Sequence, residues 1–295
     1  MIAATAVAPS RAQAGIPAQA PERGPARFGT LGIGIGPTID GLPRPPSGPP
    51  PEPMRVAVLT DIHSNLPALE AVLESIERAA PDQRWCLGDV VGYGAQPDEC
   101  AALAKERCDI CLVGNHDLAV TGEIDTDVFS ASAAAAVEWT RGTASEQTME
   151  FLKGLKPEAG AEDVGLYHAS PRDPVWEYVL AIDQAIECMA EQAGRVSLIG
   201  HSHVALYFSE SDGAGNGAQA ADGHELELGE GRWLLNPGSV GQPRDGDPRA
   251  AWLELDTEAW KATYHRVPYD IDSAADAIRE VGLPDLLAER LSIGQ

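Results

Sequence analysis

The sequence predicts an α/β protein in which a parallel βαβαβ unit is followed by helices and then by an antiparallel second sheet. Apolar runs alternate with helically spaced apolar residues from residue 54 to residue 113, a pattern typical of layered parallel folds. After residue 203 the pattern changes to short strands joined by turn-rich links. A hydrophobic fraction of 44% and a charged fraction of 22% are those of an ordinary globular protein, and 295 residues suffice to bury a core.

Residues 1–53 differ in composition from the rest of the chain. They are rich in Ala, Pro, Gly and Arg, and they end in the proline-rich run from Pro43 to Pro53. Because such a segment lacks the apolar periodicity that builds a core, we predict a disordered extension over 1–53 and a single domain over 54–295. The first ten residues lack the apolar stretch of a signal peptide, whereas a transit peptide and a misassigned upstream extension both stay open as interpretations.

Three buried strands and two helices form the predicted parallel unit. The strands are expected at Arg55–Leu59, Arg84–Leu87 and Ile110–Val113. Helically spaced apolar residues from Leu66 to Ile76 indicate the first helix, with Asn65 as its cap, and the second is expected at Pro97–Arg107. Strands in this arrangement should lie parallel and buried between layers.

Shorter apolar patterns predict the remaining elements. Helices are expected at 131–139, 148–155 and 182–193, and near 273–281 and 284–291 at the end of the chain. Short strands are expected at 165–167 and 196–199, and the antiparallel sheet at 205–209, 225–228, 232–235, 251–255 and 262–267. The Gly- and Ala-rich segment 212–223 is predicted to be a loop.

The charge balance and the cysteines exclude several classes of protein. Forty-five acidic against 21 basic residues give a net charge of −24, which argues against nonspecific binding of duplex nucleic acid. No stretch approaches the roughly 20 apolar residues of a membrane span, so no membrane partner is expected. Five cysteines in so long a chain indicate reduced thiols and a cytoplasmic location. Cys108 and Cys111 are expected to pack in the core rather than to bind zinc.

Side chains that can bind metal follow the predicted strands. Seven come directly after five successive strands: Asp61, His63, Asp89, Asn115, His168, His201 and His203. Because ligand sites of open α/β sheets form at the carboxyl ends of the strands, these side chains should converge. Imidazole, carboxylate and amide donors without cysteine favour manganese, iron or zinc. Seven ligands exceed the need of one ion, which suggests two ions that share a carboxylate and act together at phosphorus.

The order and spacing of these motifs resemble those of the calcineurin-like metallophosphoesterase superfamily. The motifs are Asp-x-His, Gly-Asp, Gly-Asn-His-Asp, His and Gly-His-x-His, and the resemblance extends over roughly Arg55 to Val267. The segments 61–65, 88–94, 170–174 and 236–244 are similar to those of its small prokaryotic phosphodiesterase-like branch. The resemblance implies a four-layer αββα sandwich, in which two mixed β-sheets pack face to face with helices outside.

The resemblance also implies a role for each residue. One ion would be held by Asp61, His63 and His203, the other by Asn115, His168 and His201, and Asp89 would bridge them. Manganese is the expected metal, with iron, zinc or nickel as alternatives. A hydroxide between the ions would attack phosphorus, and His116 would donate a proton to the leaving alkoxide, unless His116 only orients its loop.

The expected substrate is a small phosphorylated molecule. In the Ser/Thr protein phosphatases of the superfamily an Asp-Arg pair lies three and four residues beyond the bridging Asp, whereas this chain has Gly92 and Tyr93. Protein phosphatase activity is therefore not expected. Arg172, Arg244 and Tyr93 are the candidates for substrate binding; loop ion pairs with Asp173 or Asp245, and packing of Tyr93 at the rim, are the alternatives.

The function expected from these observations is hydrolysis of phosphodiester bonds in small or nucleotide-like substrates by a metal-dependent enzyme. Hydrolysis of phosphomonoesters of proteins or metabolites is one alternative, since His116 could protonate a poor leaving group. A binding or scaffold protein with the same fold and little turnover is the alternative from another class.

Overall fold

A computed structural model describes residues 54–161 and 163–295 of the chain. The predicted extension over 1–53 lies outside the described residues. Within them, no helix combines the length and the apolar character needed to cross a bilayer.

Twelve strands and eight α-helices are found in the described part of the chain. The strands are β1 (Arg55–Leu59), β2 (Gln83–Cys86), β3 (Ile110–Cys111), β4 (Glu158–Ala161), β5 (Val164–Tyr167), β6 (Val196–Leu198), β7 (Ala205–Ser211), β8 (Ala214–Gln219), β9 (Glu225–Glu227), β10 (Arg232–Pro237), β11 (Ala250–Asp256) and β12 (Lys261–Val267). The helices are α1 (Leu66–Ala79), α2 (Pro97–Arg107), α3 (Asn115–Thr121), α4 (Ala131–Thr143), α5 (Glu146–Gly154), α6 (Ile182–Glu191), α7 (Ile271–Glu280) and α8 (Asp285–Glu289), followed by a 3₁₀ turn, Arg290–Ile293.

The strands form two mixed sheets of six. The first has the order β3-β2-β1-β11-β12-β9, in which β1, β2 and β3 are parallel and β11, β12 and β9 are antiparallel to their neighbours. The second has the order β4-β5-β6-β10-β7-β8, with β5, β6 and β10 parallel. The predicted parallel unit of the first three strands is therefore confirmed.

Alternation along β1 shows how the layers are built. Val56 and Val58 point between the sheets, into an apolar cluster shared with Leu166 and Leu198 of the second sheet. Ala57 and Leu59 point the other way, into a cluster with the buried residues of α1 and α2. On the far side of the second sheet, buried residues of α6 pack on β7 and β10. The predicted αββα sandwich is confirmed.

Helix α1 illustrates how the sequence sets an element. The Asn65 side chain accepts a hydrogen bond from the backbone N–H of Ala68 at 3.2 Å, and Pro67 lies in the first turn. Leu69, Val72 and Ile76 recur at helical spacing and are buried. Burying each such side chain stabilises the fold by about 1.5–3 kcal/mol.

Two predictions about the second half of the chain were wrong. The strands after residue 203 do not form a separate sheet, because β9, β11 and β12 extend the first sheet and β7 and β10 join the second. Segment 212–223 is not simply a loop, because Ala214–Gln219 forms β8 and pairs with β7 across a two-residue turn. Asp212 and Gly213 in that turn both have positive φ, 51° and 78°, as a type I′ hairpin requires. Every residue of β8 is exposed, so no apolar alternation marks it.

Candidate metal centre

The seven predicted ligands lie together at the carboxyl ends of the parallel strands. Each lies in a loop after β1, β2, β5 or β6 or at the start of α3, and all seven are buried: Asp61, His63, Asp89, Asn115, His168, His201 and His203. Because β1–β3 and β5–β6 are two parallel sets in facing sheets, their ends form one concave edge.

The charged and imidazole donors form two overlapping groups. In the first, the donor atoms of Asp61, His63, Asp89 and His203 all lie within 4.8 Å of one another. In the second, those of Asp89, His168 and His201 do so. Asp89 thus belongs to both groups, which is the position that the sequence analysis assigned to it. Asn115 completes the second group, with its Oδ1 3.1 Å from His168 Nε2.

Backbone carbonyls fix the tautomer of three of the histidines. Nδ1 of His63 lies 3.1 Å from the oxygen of Val91, and Nδ1 of His203 lies 2.7 Å from that of Gln242. His168 Nδ1 is held in the same way, 3.0 Å from the carbonyl oxygen of Leu87. Because a carbonyl only accepts, each Nδ1 carries the hydrogen, and each Nε2 turns its lone pair into the site.

The atoms that face into the site are better placed to bind cations than to hydrogen-bond with one another. Nε2 of His63 lies 3.0 Å from Nε2 of His203, where two lone pairs meet without a hydrogen between them. Asp61 Oδ1 and His201 Nε2 are buried and have no hydrogen-bond partner among the described residues. Such orphaned acceptors are costly in a folded protein unless an ion or water satisfies them.

Burial shifts the pKa of these groups in opposite directions. It lowers the pKa of His63, His201 and His203 well below the usual value, which keeps these imidazoles neutral, as ligands must be. Burial, together with repulsion from Asp117 and Asp61, raises the pKa of Asp89 well above its usual value. Closely spaced buried carboxylates of this kind are stable as anions only with positive charge beside them.

The backbone of the site is strained in the way that functional loops often are. Five of the ligands are non-glycine residues with φ between 51° and 63°: Asp61, His63, Asp89, His201 and His203. Each such conformation costs on the order of 1–3 kcal/mol, offset by the surrounding contacts. Gly114 is needed for close approach, because a Cβ there would lie 2.0 Å from Asp89 Oδ1.

Asp117 ties two of the ligand loops together. Its carboxylate accepts hydrogen bonds from the backbone N–H groups of Val90, Val91 and Gly114 at 3.2, 3.0 and 2.9 Å. Burial nevertheless raises the pKa of Asp117 to about 7. This residue therefore holds the loop of Asp89 against the start of α3.

His116 lies beside the groups without belonging to them. Its backbone N–H donates to Asp89 Oδ1 at 2.8 Å, and its ring packs against Tyr93 at a centroid separation of 4.3 Å. Its Nδ1 is buried and makes no hydrogen bond within the described residues, so no carboxylate orients the ring there. Position 92 cannot supply a carboxylate either, because even a Cβ on Gly92 would lie 2.5 Å from His116 Nδ1.

Of the two candidate arginines, Arg244 reaches the site. Its Nη2 donates to Tyr93 Oη at 3.2 Å and to Gln242 Oε1 at 2.8 Å. Its Nε and the Nε2 of Gln242 are buried donors that lack partners in the part of the chain that the structure describes. The alternative ion pair with Asp245 is not formed, since Asp245 pairs with Arg266 instead.

Arg172 is engaged elsewhere. Its guanidinium forms ion pairs with Glu177 in its own loop and with Glu187 of α6. Asp173, the partner considered from the sequence, instead accepts from the backbone N–H groups of Val175 and Trp176, both at 3.1 Å. Arg172 therefore stabilises the loop after β5. A contact between Arg172 and substrate stays a prediction.

Sequence reasoning missed two residues at the site. Gln242 lies within segment 236–244, whose resemblance pointed to a loop near the metals, but nothing marked its side chain. Tyr178 packs against His201 with ring centroids 4.1 Å apart and the ring planes tilted by 33°. The only signal for it was its place shortly after segment 170–174. The cysteines, in contrast, are free thiols outside both donor groups, and Cys86 and Cys100 pack in the core.

Comparisons with known proteins agree with this geometry. Residues 54–258 match the model of the calcineurin-like phosphoesterase superfamily domain. The uncharacterized protein MJ0912 of Methanocaldococcus jannaschii is 37% identical over 248 residues, which cover 81% of this chain and 98% of that protein.

Two solved structures extend the comparison. A metallophosphoesterase from Sphaerobacter thermophilus has a TM-score of 0.74 at 37% identity, covering 83% of this chain and all of the other. The hypothetical protein PH1004 of Pyrococcus horikoshii shares the fold, with a TM-score of 0.67 at 20% identity over 82% of this chain and 98% of its own. A buried, shared Asp/His donor set on a two-sheet sandwich, together with these matches, shows that the chain belongs to the calcineurin-like phosphoesterase superfamily.

Proposed function

We propose that the protein is a metal-dependent phosphoesterase that uses two divalent ions, manganese in the first place, to hydrolyse phosphodiester bonds of small substrates. The observation that carries this proposal is the position of Asp89, which is shared by two buried donor groups. Two ions bound there would supply Lewis acidity and lower the pKa of water toward neutrality. Asp61, His63 and His203 would hold one ion and Asn115, His168 and His201 the other, with Asp89 between them.

Arg244 and Gln242 support binding of a phosphate group in front of these ligands. Both present a buried N–H that has no partner among the described residues, at Nε and Nε2 respectively. A phosphate oxygen accepts such hydrogen bonds, and those from a guanidinium are the stronger kind. We assign to Arg244 and Gln242 the orientation of the phosphate for in-line attack.

A diester fits this arrangement better than a monoester does. A diester carries a single negative charge, which the guanidinium of Arg244 can match. The Asp-Arg pair that serves phosphomonoester hydrolysis in the protein phosphatases is replaced by Gly92 and Tyr93. His116 is held neutral, because burial lowers its pKa well below the usual value. Little of the ring is then protonated, so little imidazolium is present to donate a proton, which disfavours substrates with poor leaving groups.

Monoester hydrolysis is a second candidate, favoured by one observation. His116 adjoins the donor groups, with its backbone N–H on Asp89 and its ring 4.9 Å from that of His63. A ring so placed could still protonate an alkoxide, although nothing in the described residues orients it by a hydrogen bond at Nδ1.

The decisive experiment compares bis-p-nitrophenyl phosphate with p-nitrophenyl phosphate at equal concentration, with Mn²⁺ or with EDTA. We expect Mn²⁺-dependent cleavage that is faster for the diester. The variant Asp89→Asn should be inactive, and Asp127→Asn, an exposed carboxylate away from the ligands, should match the wild type. Faster cleavage of the monoester would favour the second candidate. Absence of both activities in metal-loaded protein would contradict the proposal and favour a binding or scaffold role.

A further inference from the structure

A continuous arc of rings borders the donor groups. Successive members lie at centroid separations of 4.3, 5.0, 5.5, 6.5 and 4.1 Å, in the order Tyr93, His116, Phe129, Trp176, His201 and Tyr178. Arg244 approaches Tyr93 from the other side, with its Cζ 5.6 Å from the ring centroid. The place where a phosphate would bind is thus enclosed largely by aromatic surface.

Tyr178 and Trp176 both present part of their side chains to solvent. Tyr178 is 44% exposed although one side of its ring lies against His201. Trp176 is partly exposed and makes T-shaped contacts with Phe129 and His201, at 72° and 83°, so that neither neighbour stacks on it face to face. Val128 and Leu180, which flank Phe129 and Tyr178 in the chain, are 73% and 53% exposed. Large apolar side chains concentrated beside a polar site mark a ligand-binding surface.

The loop that carries these two rings is held rigidly. Glu177, between them, accepts from Arg172 and from the Ser170 hydroxyl, and Arg172 also pairs with Glu187 of α6. The next residue after Tyr178, Val179, is buried. A fixed loop presents its rings at no further cost in conformational entropy when a ligand binds.

We propose that Trp176 and Tyr178 form a stacking platform for a nucleobase, so that the substrate is a phosphodiester of a nucleoside. This inference rests on the proposed function and adds the identity of the group esterified to phosphorus. Aromatic side chains stack on any base because every base has a π-face. The net charge of −24 repels long polyanions, which restricts the substrate to mononucleotide esters and short oligonucleotides.

The inference is tested first by binding, with no turnover needed. Ribose 5-phosphate carries an anomeric hydroxyl in place of the base of adenosine 5′-monophosphate, and the affinities of the two for the Mn²⁺-loaded protein can be compared by equilibrium dialysis. We expect the nucleotide to bind about tenfold more tightly, as base–aromatic stacking implies. Trp176→Ala and Tyr178→Ala should reduce that ratio toward one, whereas Tyr178→Phe should preserve it. Leu286→Ala, an exposed apolar residue of α8, is the control and should leave the ratio unchanged.

Equal affinity of the two ligands in the wild type would overturn the inference. So would a nucleotide advantage that survives both alanine substitutions, since the base would then bind elsewhere. A loss of affinity for ribose 5-phosphate as large as that for the nucleotide would also contradict it, because the rings would then be packing on the sugar.

Hydrolysis separates this inference from the proposed function. Thymidine 5′-(p-nitrophenyl phosphate) and methyl p-nitrophenyl phosphate release the same leaving group, so a ratio of kcat/KM reports the nucleoside alone. A ratio near one would overturn the platform while leaving the phosphodiesterase intact. Failure to cleave either ester, with base-dependent binding present, would overturn the proposed activity and support the platform.

Discussion

The Nε2 atoms of His63 and His203 lie 3.0 Å apart, although each ring has already given its Nδ1 hydrogen to a backbone carbonyl. Two neutral imidazoles cannot hydrogen-bond through two lone pairs, so this contact is unfavourable without a shared electrophile. A cation held by His63 and His203 would replace this repulsion with attraction to both lone pairs. The stability of the protein should therefore depend strongly on divalent metal.

Metal removal is the first test of that dependence. Binding to the native state alone stabilises by about 2.7 kcal/mol at a ligand concentration of 100 times Kd. We expect Mn²⁺ to raise the Tm of EDTA-treated protein by at least about 5 °C, measured by scanning calorimetry. Mg²⁺ should act more weakly, since it prefers oxygen ligands. An unchanged Tm in the presence of bound Mn²⁺ would contradict the prediction.

Asp89→Asn should have opposite effects with and without metal. In metal-free protein, burial and repulsion from Asp117 and Asp61 raise the pKa of Asp89, which means that its anionic form destabilises the fold at pH 7. The substitution removes this carboxylate, so Tm should rise at pH 7. In Mn²⁺ the variant should be less stable than the wild type and inactive, because the shared ligand is lost. Metal content by plasma emission spectroscopy should fall in parallel, and Asp127→Asn should change none of these values.

His116→Ala tests whether His116 acts as the proton donor, independently of the candidate ligands. The ring lies outside both donor groups, so bound metal should be unchanged. General acid catalysis contributes about 10²–10⁴-fold, and turnover of esters with alkoxide leaving groups should fall by that factor. Esters of p-nitrophenol, which leaves without protonation, should be much less affected. Loss of metal from this variant would show that His116 supports the ligands instead.

Arg244→Ala tests phosphate recognition. A hydrogen bond to a charged group contributes about 1.5–3 kcal/mol, so kcat/KM for bis-p-nitrophenyl phosphate should fall by about 10- to 150-fold. Arg244→Lys should restore little, because a compact ammonium group lacks the planar fork with which the guanidinium contacts Tyr93 and Gln242 while it presents Nε to a phosphate. Arg249→Ala is the matched control, since Arg249 pairs with Asp247 and Asp222 at the surface. Equal losses in the two alanine variants would refute a specific role.

A pH-dependent contribution to stability is expected from Asp98, which links α2 to α5. Partial burial opposes ionisation, but hydrogen bonds from Thr148 and Ser145 outweigh it and lower the pKa of Asp98. Because the pKa is lower in the folded state, this stabilisation is present above the unfolded value near 3.8 and is lost as pH falls through the folded value.

Asp98→Ala should therefore lower the free energy of unfolding by about 1–2 kcal/mol at pH 7, measured by urea titration. The difference from the wild type should narrow as pH falls below the unfolded pKa near 3.8. The neighbouring exposed residue Glu99 shares the first turn of α2, so Glu99→Ala controls for the helix terminus. A difference that stays constant with pH would exclude the carboxylate as its source.

The sequence contained most of the fold where apolar periodicity marks buried elements. Strand β1 and helix α1 were predictable because Val56, Val58, Leu69 and Val72 alternate or recur at the expected spacing. Strand β8 was not predicted from its residues, because all of them are exposed. The sequence also does not indicate which strands pair, since the pattern of β11 marks a buried face but does not show that β11 pairs with β1.

The residues of the site also divide into those that a local sequence pattern marks and those that it does not. The candidate ligands were recognisable because Asp61, Asp89 and His168 each follow a strand, and parallel pairing brings the ends of such strands to one edge. The importance of Gln242 and Tyr178 depends on how their loops fold back over the strand ends, which no local pattern encodes. The choice between Arg172 and Arg244 likewise required the structure, because only the positions of Glu177 and Glu187 show which guanidinium is already neutralised.

His63 and His203, which we assign to one ion, lie in loops 140 residues apart, because His63 follows a strand of the first sheet and His203 a strand of the second. Contacts of such sequence separation carry a cost in loop-closure entropy, which the docking of the two sheets has to offset. A partly synthesised or half-folded chain therefore has no complete binding site for a cation. On this assignment a complete cation site would form only once both sheets are docked, which would place metal binding at the end of folding.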